Sequence, residues 1–193
     1  MQSQITQPQT TQSRIKWTVD DYHRMIESEI LLDKKVELLN GEVYQMPPEG
    51  APHSYFGGSL ADQFRRKLGN RALVRNAIPI TLSNSEPEPD IAVVTGDWET
   101  YRYRHPYSED VLLAVEVSAS SLEKDLTLKR QIYAAAGIQD YWILALKNSR
   151  LLVFREPQDG DYQLTTELQQ GTISPLAFPD VSFAVSQLLP SDR

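Results

Sequence analysis

A run of apolar residues interrupted by one acid, VLLAVEVS at 111–118, constrains this sequence more than any other stretch. Such a run is typical of a central strand that is buried on both faces of a sheet. A helical stretch follows at 122–136, ends at Gly137, and leads into a second apolar run, DYWILAL, at 140–146. This strand–helix–strand order predicts a right-handed crossover between two parallel strands.

Hairpin signals flank this central unit on both sides. Asn40-Gly41 lies inside VELLNGEVYQM, and Asp159-Gly160 separates RLLVFRE from DYQLTTEL. Both dipeptides favour two-residue turns. Short strands are also expected around ALVR, IPITL and DIAVV, and a helix from about His53 to Leu68. We therefore expect an α/β fold with a central mixed sheet, helices on its faces, and antiparallel hairpins at its edges.

Length and composition narrow the class of protein. The 193 residues suit a single domain over 16–193, preceded by a Gln- and Thr-rich tail at 1–15 that we expect to be disordered. The chain has no cysteine, which excludes disulfides and thiolate metal sites. It shows neither a bilayer-length apolar run nor a signal peptide, so we expect a cytoplasmic protein with no membrane partner. The net charge of −7 argues against a protein that simply coats DNA.

Two charged residues lie on the apolar face of the helix at 122–136. With residues placed about 100° apart, Asp125 and Lys129 fall inside the core-facing stripe, whereas Lys124 falls on the solvated side. The stripe consists of Leu122, Leu126, Ile132, Tyr133 and Ala136. Because burying an unpaired charge is costly, both groups require partners inside the protein. An i,i+4 ion pair between them explains their spacing but not their face.

Two acids on the expected strands are candidates for those partners. Asp90 opens the strand DIAVV, and Glu116 lies within VLLAVEVS, where Ser118 shares its face. Adjacent strands are about 4.8 Å apart, so both carboxylates can converge on one cation. Oxygen ligands with retained waters are what Mg²⁺ prefers. A purely structural ion pair between Glu116 and Lys129 is the alternative. The three histidines show no zinc-ligand spacing.

The order and spacing of these segments resemble the PD-(D/E)XK nuclease superfamily, and within it the Uma-type restriction endonuclease family. The resemblance covers residues 17–188 and rests on VELLNGEVYQMPP, EPEPDIAVV, AVEVSASS and DLTLKRQIYAAAGIQDYWIL. It implies a restriction-endonuclease-like core with a Mg²⁺-dependent centre that cleaves phosphodiester bonds, with Mn²⁺ as a substitute.

The resemblance also implies roles for individual residues. Asp90 and Glu116 match the metal ligands, and Glu37 resembles an additional acid that completes the metal site. Lys129 matches a lysine that this branch carries on the helix, and Asp125 is expected to orient it from one turn away.

Two further positions are candidates for contacts with the substrate. Position 118, where the superfamily pattern places its lysine, is occupied by Ser118, a candidate substrate contact. His53 is a candidate phosphate contact, although a role at the start of its helix explains it equally well.

Three functions remain open at this stage. The leading hypothesis is an endonuclease that hydrolyses DNA through a metal-activated water, with specificity from loops such as 97–108. The second is a catalytically silent member of the fold that serves as a binding or assembly module, which the acidic charge favours. The third is a hydrolase of a small phosphoester, which requires a closed pocket. We also expect a homodimer, since two symmetric active sites can cut both strands.

Overall fold

A six-stranded mixed sheet forms the centre of the computed structural model, which describes residues 14–190. The tail expected at 1–15 lies almost wholly outside the described residues, as do residues 191–193. The first two helices are α1 (Val19–Glu27) and α2 (Ala51–Leu68). The strands are β1 (Val36–Leu39), β2 (Glu42–Gln45), β3 (Leu73–Asn76), β4 (Ile91–Val94), β5 (Val111–Ser118), β6 (Asp140–Ala145), β7 (Arg150–Gln158), β8 (Asp161–Leu168), β9 (Thr172–Ile173) and β10 (Phe183–Ala184).

The strand order of the central sheet is β3-β4-β5-β6-β7-β8. Only β5 and β6 are parallel, and the third helix connects them, while all other neighbours in this sheet are antiparallel. The strands β5 and β6 are buried along nearly their whole length, as their apolar sequences predicted. The expected mixed α/β architecture is therefore confirmed. Within residues 14–190, no helix combines the length and the apolar character needed to cross a bilayer.

The helices cover both faces of the sheet. Leu60 and Phe64 of α2 pack on one face, where the Phe64 ring lies 6.0 Å from that of Trp142. Ile132 and Tyr133 of the third helix pack on the other face. The Tyr133 ring meets that of Tyr141 edge-on at 4.9 Å. The acid-bearing middle strands are thus enclosed between two apolar layers.

The third helix, α3, departs from regular α-helical geometry in its middle. It runs as an α-helix at Leu122–Lys124, a π-helix at Asp125–Lys129, and an α-helix again at Arg130–Ala135. Such wide turns are rare and are often found at functional sites. They also break the regular 100° spacing, which limits what a helical wheel can predict beyond this point.

Two sequence expectations about strands were wrong. The hairpin of β1 and β2 forms its own two-stranded sheet instead of extending an edge of the central one. The segment IPITL contributes only an isolated bridge at Thr81, because Ala77 turns the chain with a positive φ and Pro79 lacks an N–H for a strand ladder. The hairpin of β7 and β8 does occupy an edge of the sheet, as expected.

A buried acid outside the candidate site, Asp140 at the start of β6, connects the central sheet to the C-terminal segment. Asp140 is fully buried and accepts hydrogen bonds from Trp142 Nε1, Leu176 N and, through both carboxylate oxygens, Arg155. Removing this carboxylate leaves the donors of three residues without their acceptor, and Trp142 among them is fully buried.

We expect Asp140→Ala to lower the free energy of unfolding by about 2–4 kcal/mol, because it removes the acceptor of the buried Trp142 Nε1 and leaves the partly buried guanidinium of Arg155 without its carboxylate. Chemical denaturation monitored by circular dichroism measures this loss. The matched control is Asp161→Ala, since Asp161 forms a similar two-point pair with Arg130 but is half exposed. We expect the control to lose less than about 1 kcal/mol. Equal losses in the two variants would contradict the structural role assigned to Asp140.

Candidate active site

The pairing of β4 with β5 brings the two strand-borne acids together. Ile91 is in register with Val115, which places Asp90 opposite Glu116. The backbone N–H of Val117 donates to Asp90 Oδ2 over 2.6 Å and fixes the carboxylate beside β5. Asp90 is partly exposed, whereas Glu116 is buried.

Lys129 projects from the π-helical turn of α3 toward these strands. Its Nζ lies 2.9 Å from Glu116 Oε1 and 3.1 Å from Glu37 Oε2, and its side chain is only 3% exposed. The hydroxyl of Tyr133 donates to the same oxygen of Glu116 over 2.8 Å. Both hydrogen bonds of Glu116 fall on Oε1, which leaves Oε2 free to accept another ligand.

Glu37 is placed differently from the expected metal ligand. It is fully buried, and its two oxygens are held by Lys124 Nζ at 2.7 Å and Lys129 Nζ at 3.1 Å. Because two ammonium groups already occupy the carboxylate, this geometry fits an anchor for the lysines better than a ligand for a cation. The structure therefore does not support Glu37 as the acid that completes the metal site.

Asp125 joins the end of β5 to the start of α3. Its Oδ2 accepts hydrogen bonds from Ser118 Oγ at 2.7 Å and Ser121 Oγ at 2.6 Å. Among the described ion pairs, Lys129 contacts Glu116 and Glu37 rather than Asp125. Asp125 thus positions the helix that carries Lys129 instead of orienting the lysine directly. Ser118 is buried, and its hydroxyl donates to Asp125, a placement that does not favour contact with a substrate.

His53 lies on the other side of Asp90. Its Nε2 is 3.1 Å from Asp90 Oδ2, and its Nδ1 is 3.4 Å from Glu49 Oε2. The hydrogen bond to Asp90, followed by the charges of Asp90 and Glu49, raises the pKa of His53 despite its partial burial. The imidazole also lines the cavity described in the next paragraph.

A small cavity of about 70 Å³ opens between these elements. Five carboxylate side chains line it against two lysines and His53, so its lining carries an excess of negative charge. The acids are Glu49, Glu88, Asp90, Glu116 and Asp125, and the lysines are Lys124 and Lys129. A cavity of this size accommodates an ion with a few waters rather than a nucleotide.

Burial and neighbouring charges shift the protonation of the central groups. Burial, reinforced by Asp125, Asp90 and Glu37, raises the pKa of Glu116, and Lys129 offsets this only in part. Burial opposes the charge on Lys129, but the carboxylates of Glu116 and Glu37 outweigh it and raise the pKa of the ammonium. Burial likewise opposes the charge on Glu37, yet Lys129 and Lys124 hold its pKa below the ordinary value. Lys129 is therefore a fixed positive charge in this centre.

Three residues of the site were missed by the sequence interpretation. Lys124 was placed on the solvated face, but its flexible stem carries the ammonium to Glu37. Tyr133 was assigned to the core stripe, although its hydroxyl binds Glu116. Glu88 lines the cavity two residues before Asp90, and burial raises its pKa. The repeated acids of EPEPD were the one sequence signal that pointed to Glu88.

The carboxylates of the candidate site fit a divalent ion that is bound mainly through water molecules. Among residues 14–190, no three acidic or histidine side chains converge as a complete metal cage would require. Asp90 and Glu116 nevertheless line one cavity with an excess of negative charge. Mg²⁺ usually keeps several waters and binds through one or two carboxylates, so two protein ligands are sufficient.

The mixed sheet with an acid–acid–lysine centre defines a protein of restriction-endonuclease-like fold. A family model, Uma2, described as "Putative restriction endonuclease", matches residues 19–186, and the chain belongs to this family. A crystal structure described as a "putative nuclease belonging to DUF820", from Anabaena variabilis, superposes with a TM-score of 0.68. It shares 15% sequence identity, and the match covers 89% of this chain and 96% of that one. A search of curated proteins found no significant match.

Proposed function

We propose that this protein is a Mg²⁺-dependent endonuclease that hydrolyses DNA phosphodiester bonds. The observation that carries the proposal is the position of the Lys129 ammonium, which is buried 2.9 Å from Glu116 in the cavity that Asp90 also lines. The family description and the nuclease-like fold support the same class of reaction.

The side chains of the cavity have separate tasks in this proposal. Asp90 and Glu116 hold the Mg²⁺ ion, which supplies polarisation of a phosphoryl oxygen and a lowered pKa for the attacking water. Lys129 stabilises the negative charge that develops on the phosphate as the water oxygen bonds to phosphorus and the opposite P–O bond breaks. Glu37 and Tyr133 fix Lys129 and Glu116 in place, so this charge is arranged before the substrate arrives. His53, beside Asp90, contacts a phosphate of the substrate.

The proposal predicts that cleavage of DNA depends on a divalent metal. We expect the protein to nick or linearise supercoiled plasmid in Mg²⁺ or Mn²⁺, to stop when EDTA is added, and to resume when Mg²⁺ is restored in excess. Gel electrophoresis over a time course measures the reaction. Absence of cleavage of plasmid, linear duplex and single-stranded DNA with either metal would contradict the proposal.

A catalytically silent binding module is the second candidate. It is favoured by the same ion pairs, because Lys129 and Glu37 satisfy each other in the absence of any ligand. Binding of DNA without cleavage under all metal conditions would favour this candidate.

The third interpretation, hydrolysis of a small phosphoester, is not favoured, because the cavity of about 70 Å³ is too small to enclose such a substrate.

A homodimer is part of the proposal. Two active sites related by a two-fold axis can cut both strands of a duplex. Several large apolar side chains at the N-terminal end of the domain are exposed and suit an interface: Ile15, Trp17, Ile26, Ile30 and Leu32. Light scattering coupled to size-exclusion chromatography tests this, and a monomeric mass at micromolar concentration would contradict it.

A further inference from the structure

A second and larger cavity lies outside the candidate active site. Its volume is about 670 Å³, within the range that is typical of ligand sites. One wall is the Tyr- and Arg-rich segment 101–107, and the other is formed by α1 and the turn at 81–83. The nuclease proposal assigns no role to this cavity.

Exposed aromatic rings line this cavity. Tyr103 is 91% exposed, and Tyr107 is 42% exposed. The guanidinium of Arg104 lies 4.6 Å from the centre of the Tyr107 ring and 5.1 Å from that of Tyr101. Asp110 fixes Arg104 through an ion pair of 2.6 Å. The segment therefore exposes tyrosine rings. In proteins that bind single-stranded nucleic acid, bases stack on exposed rings of this kind.

A buried arginine, Arg75, lies behind the aromatic residues of this region. Arg75 is 3% exposed, and its guanidinium lies 5.6 Å from the ring centres of both Trp98 and Tyr101. Its polar contacts are the carbonyl of Pro79 and His105 Nδ1, each at 3.3 Å, and its Nε has no hydrogen-bond partner. Among the described ion pairs, none involves Arg75, so no carboxylate neutralises it. Its charge favours an anionic ligand, whereas the exposed Arg102 is paired with Glu99 and becomes available to a phosphate only if this surface pair opens.

One segment connects this cavity to the candidate active site. Glu86 Oε2 lies 2.8 Å from His23 Nε2 and accepts from Thr81 Oγ1 at 2.7 Å, and both partners line the larger cavity. Asp90 lies only four residues further along the chain. Four residues span at most roughly 14 Å. A strand of nucleic acid has a phosphate at about every 3.4 Å of helix axis, so a short stretch of it reaches both places.

We infer that the cavity beside segment 101–107 binds an unpaired base of the nucleic acid strand whose phosphate lies at Asp90. This inference rests on the proposed function in taking nucleic acid as the ligand. An unpaired base is required because bases inside a duplex already stack on one another and expose no face to Tyr103 or Tyr107. The protein therefore binds single-stranded segments more tightly than fully paired ones.

Binding of a fluorescent oligothymidylate in EDTA, followed by anisotropy, tests the inference without cleavage. We expect Tyr103→Ala to weaken binding roughly 5- to 100-fold, as loss of one base–aromatic stack does. Tyr103 is almost fully exposed, so the truncation leaves the fold intact. The matched control is Tyr55→Ala, an exposed tyrosine outside both cavities, which leaves binding unchanged.

The salt dependence of the same assay tests the charge. Arg102→Ala reduces the slope of log affinity against log salt by about 0.7, the value for one phosphate contact on a single strand. Arg65→Ala is the control, because Arg65 is similarly exposed and is paired to an acid three residues away just as Arg102 is. Unchanged binding by Tyr103→Ala, or equal affinity for a blunt duplex of the same length, would overturn the inference. Because binding is measured without metal, the two proposals can fail separately. If binding depends on Tyr103 but the protein cleaves no DNA in the assays with Mg²⁺ or Mn²⁺, the nuclease proposal alone is refuted.

Discussion

The variant Lys129→Met is expected to cleave DNA about 100- to 1,000-fold more slowly than the wild-type protein while still binding a divalent metal. Removal of one positioned donor that stabilises developing negative charge costs a loss of this order. Lys129 lines the cavity, but its ammonium cannot coordinate a cation, so metal affinity is retained. Single-turnover plasmid cleavage and a Mn²⁺ titration give the two quantities.

The controls separate chemistry from folding. Methionine keeps the length of the lysine stem, which limits the cavity that a truncation to alanine would open. Lys34→Met removes an exposed lysine from the same protein and leaves the rate unchanged. Circular dichroism verifies that both variants are folded. If the Lys129→Met protein is folded, binds metal and cleaves at the wild-type rate, the lysine takes no part in the reaction.

Asp90→Asn and Glu116→Gln are expected to lose both metal binding and cleavage. Each change replaces a carboxylate by a neutral amide of the same shape at one of the two groups proposed to hold the ion. Since even residues that only support a metal ligand change affinity by about 10- to 100-fold, we expect losses above roughly 100-fold here. Titration of Mn²⁺ followed by electron paramagnetic resonance measures the affinity directly.

Glu37→Gln is the informative comparison for these two variants. Its carboxylate is occupied by Lys124 and Lys129, so the substitution leaves Mn²⁺ affinity nearly unchanged but slows cleavage by releasing the lysines. A loss of Mn²⁺ affinity in Glu37→Gln as large as that in Glu116→Gln would show that Glu37 is a ligand after all.

Elements with strong local signals could be predicted from the sequence. The two hairpin turns have positive φ at both central residues, which Asn-Gly and Asp-Gly adopt at low cost. The central strands follow from unbroken apolar runs. The separation of β1 and β2 from the main sheet could not be predicted, because it depends on a bridge from Leu38 to Glu86, nearly fifty positions away in the chain.

The arrangement of the site could be predicted only in part. A charged residue on an apolar face requires a buried partner, and this requirement predicts Lys129 and Glu116 as neighbours, which they are. The wheel failed for Lys124, because it gives only the direction in which a side chain leaves the helix, and this long side chain reaches round to Glu37. The contacts of Glu37 and Asp125 depend on how the hairpin and the loop after β5 pack, which local sequence does not encode. The catalytic and metal-binding roles of these residues stay predictions.

A crystal structure determined after soaking in Mn²⁺ tests the central claim most directly. The account predicts an anomalous peak in the small cavity, within coordination distance of Asp90 and Glu116 oxygens, with Lys129 still directed at Glu116. A fully occupied Mn²⁺ bound elsewhere, with the Asp90–Glu116 cavity empty at millimolar metal, would contradict it.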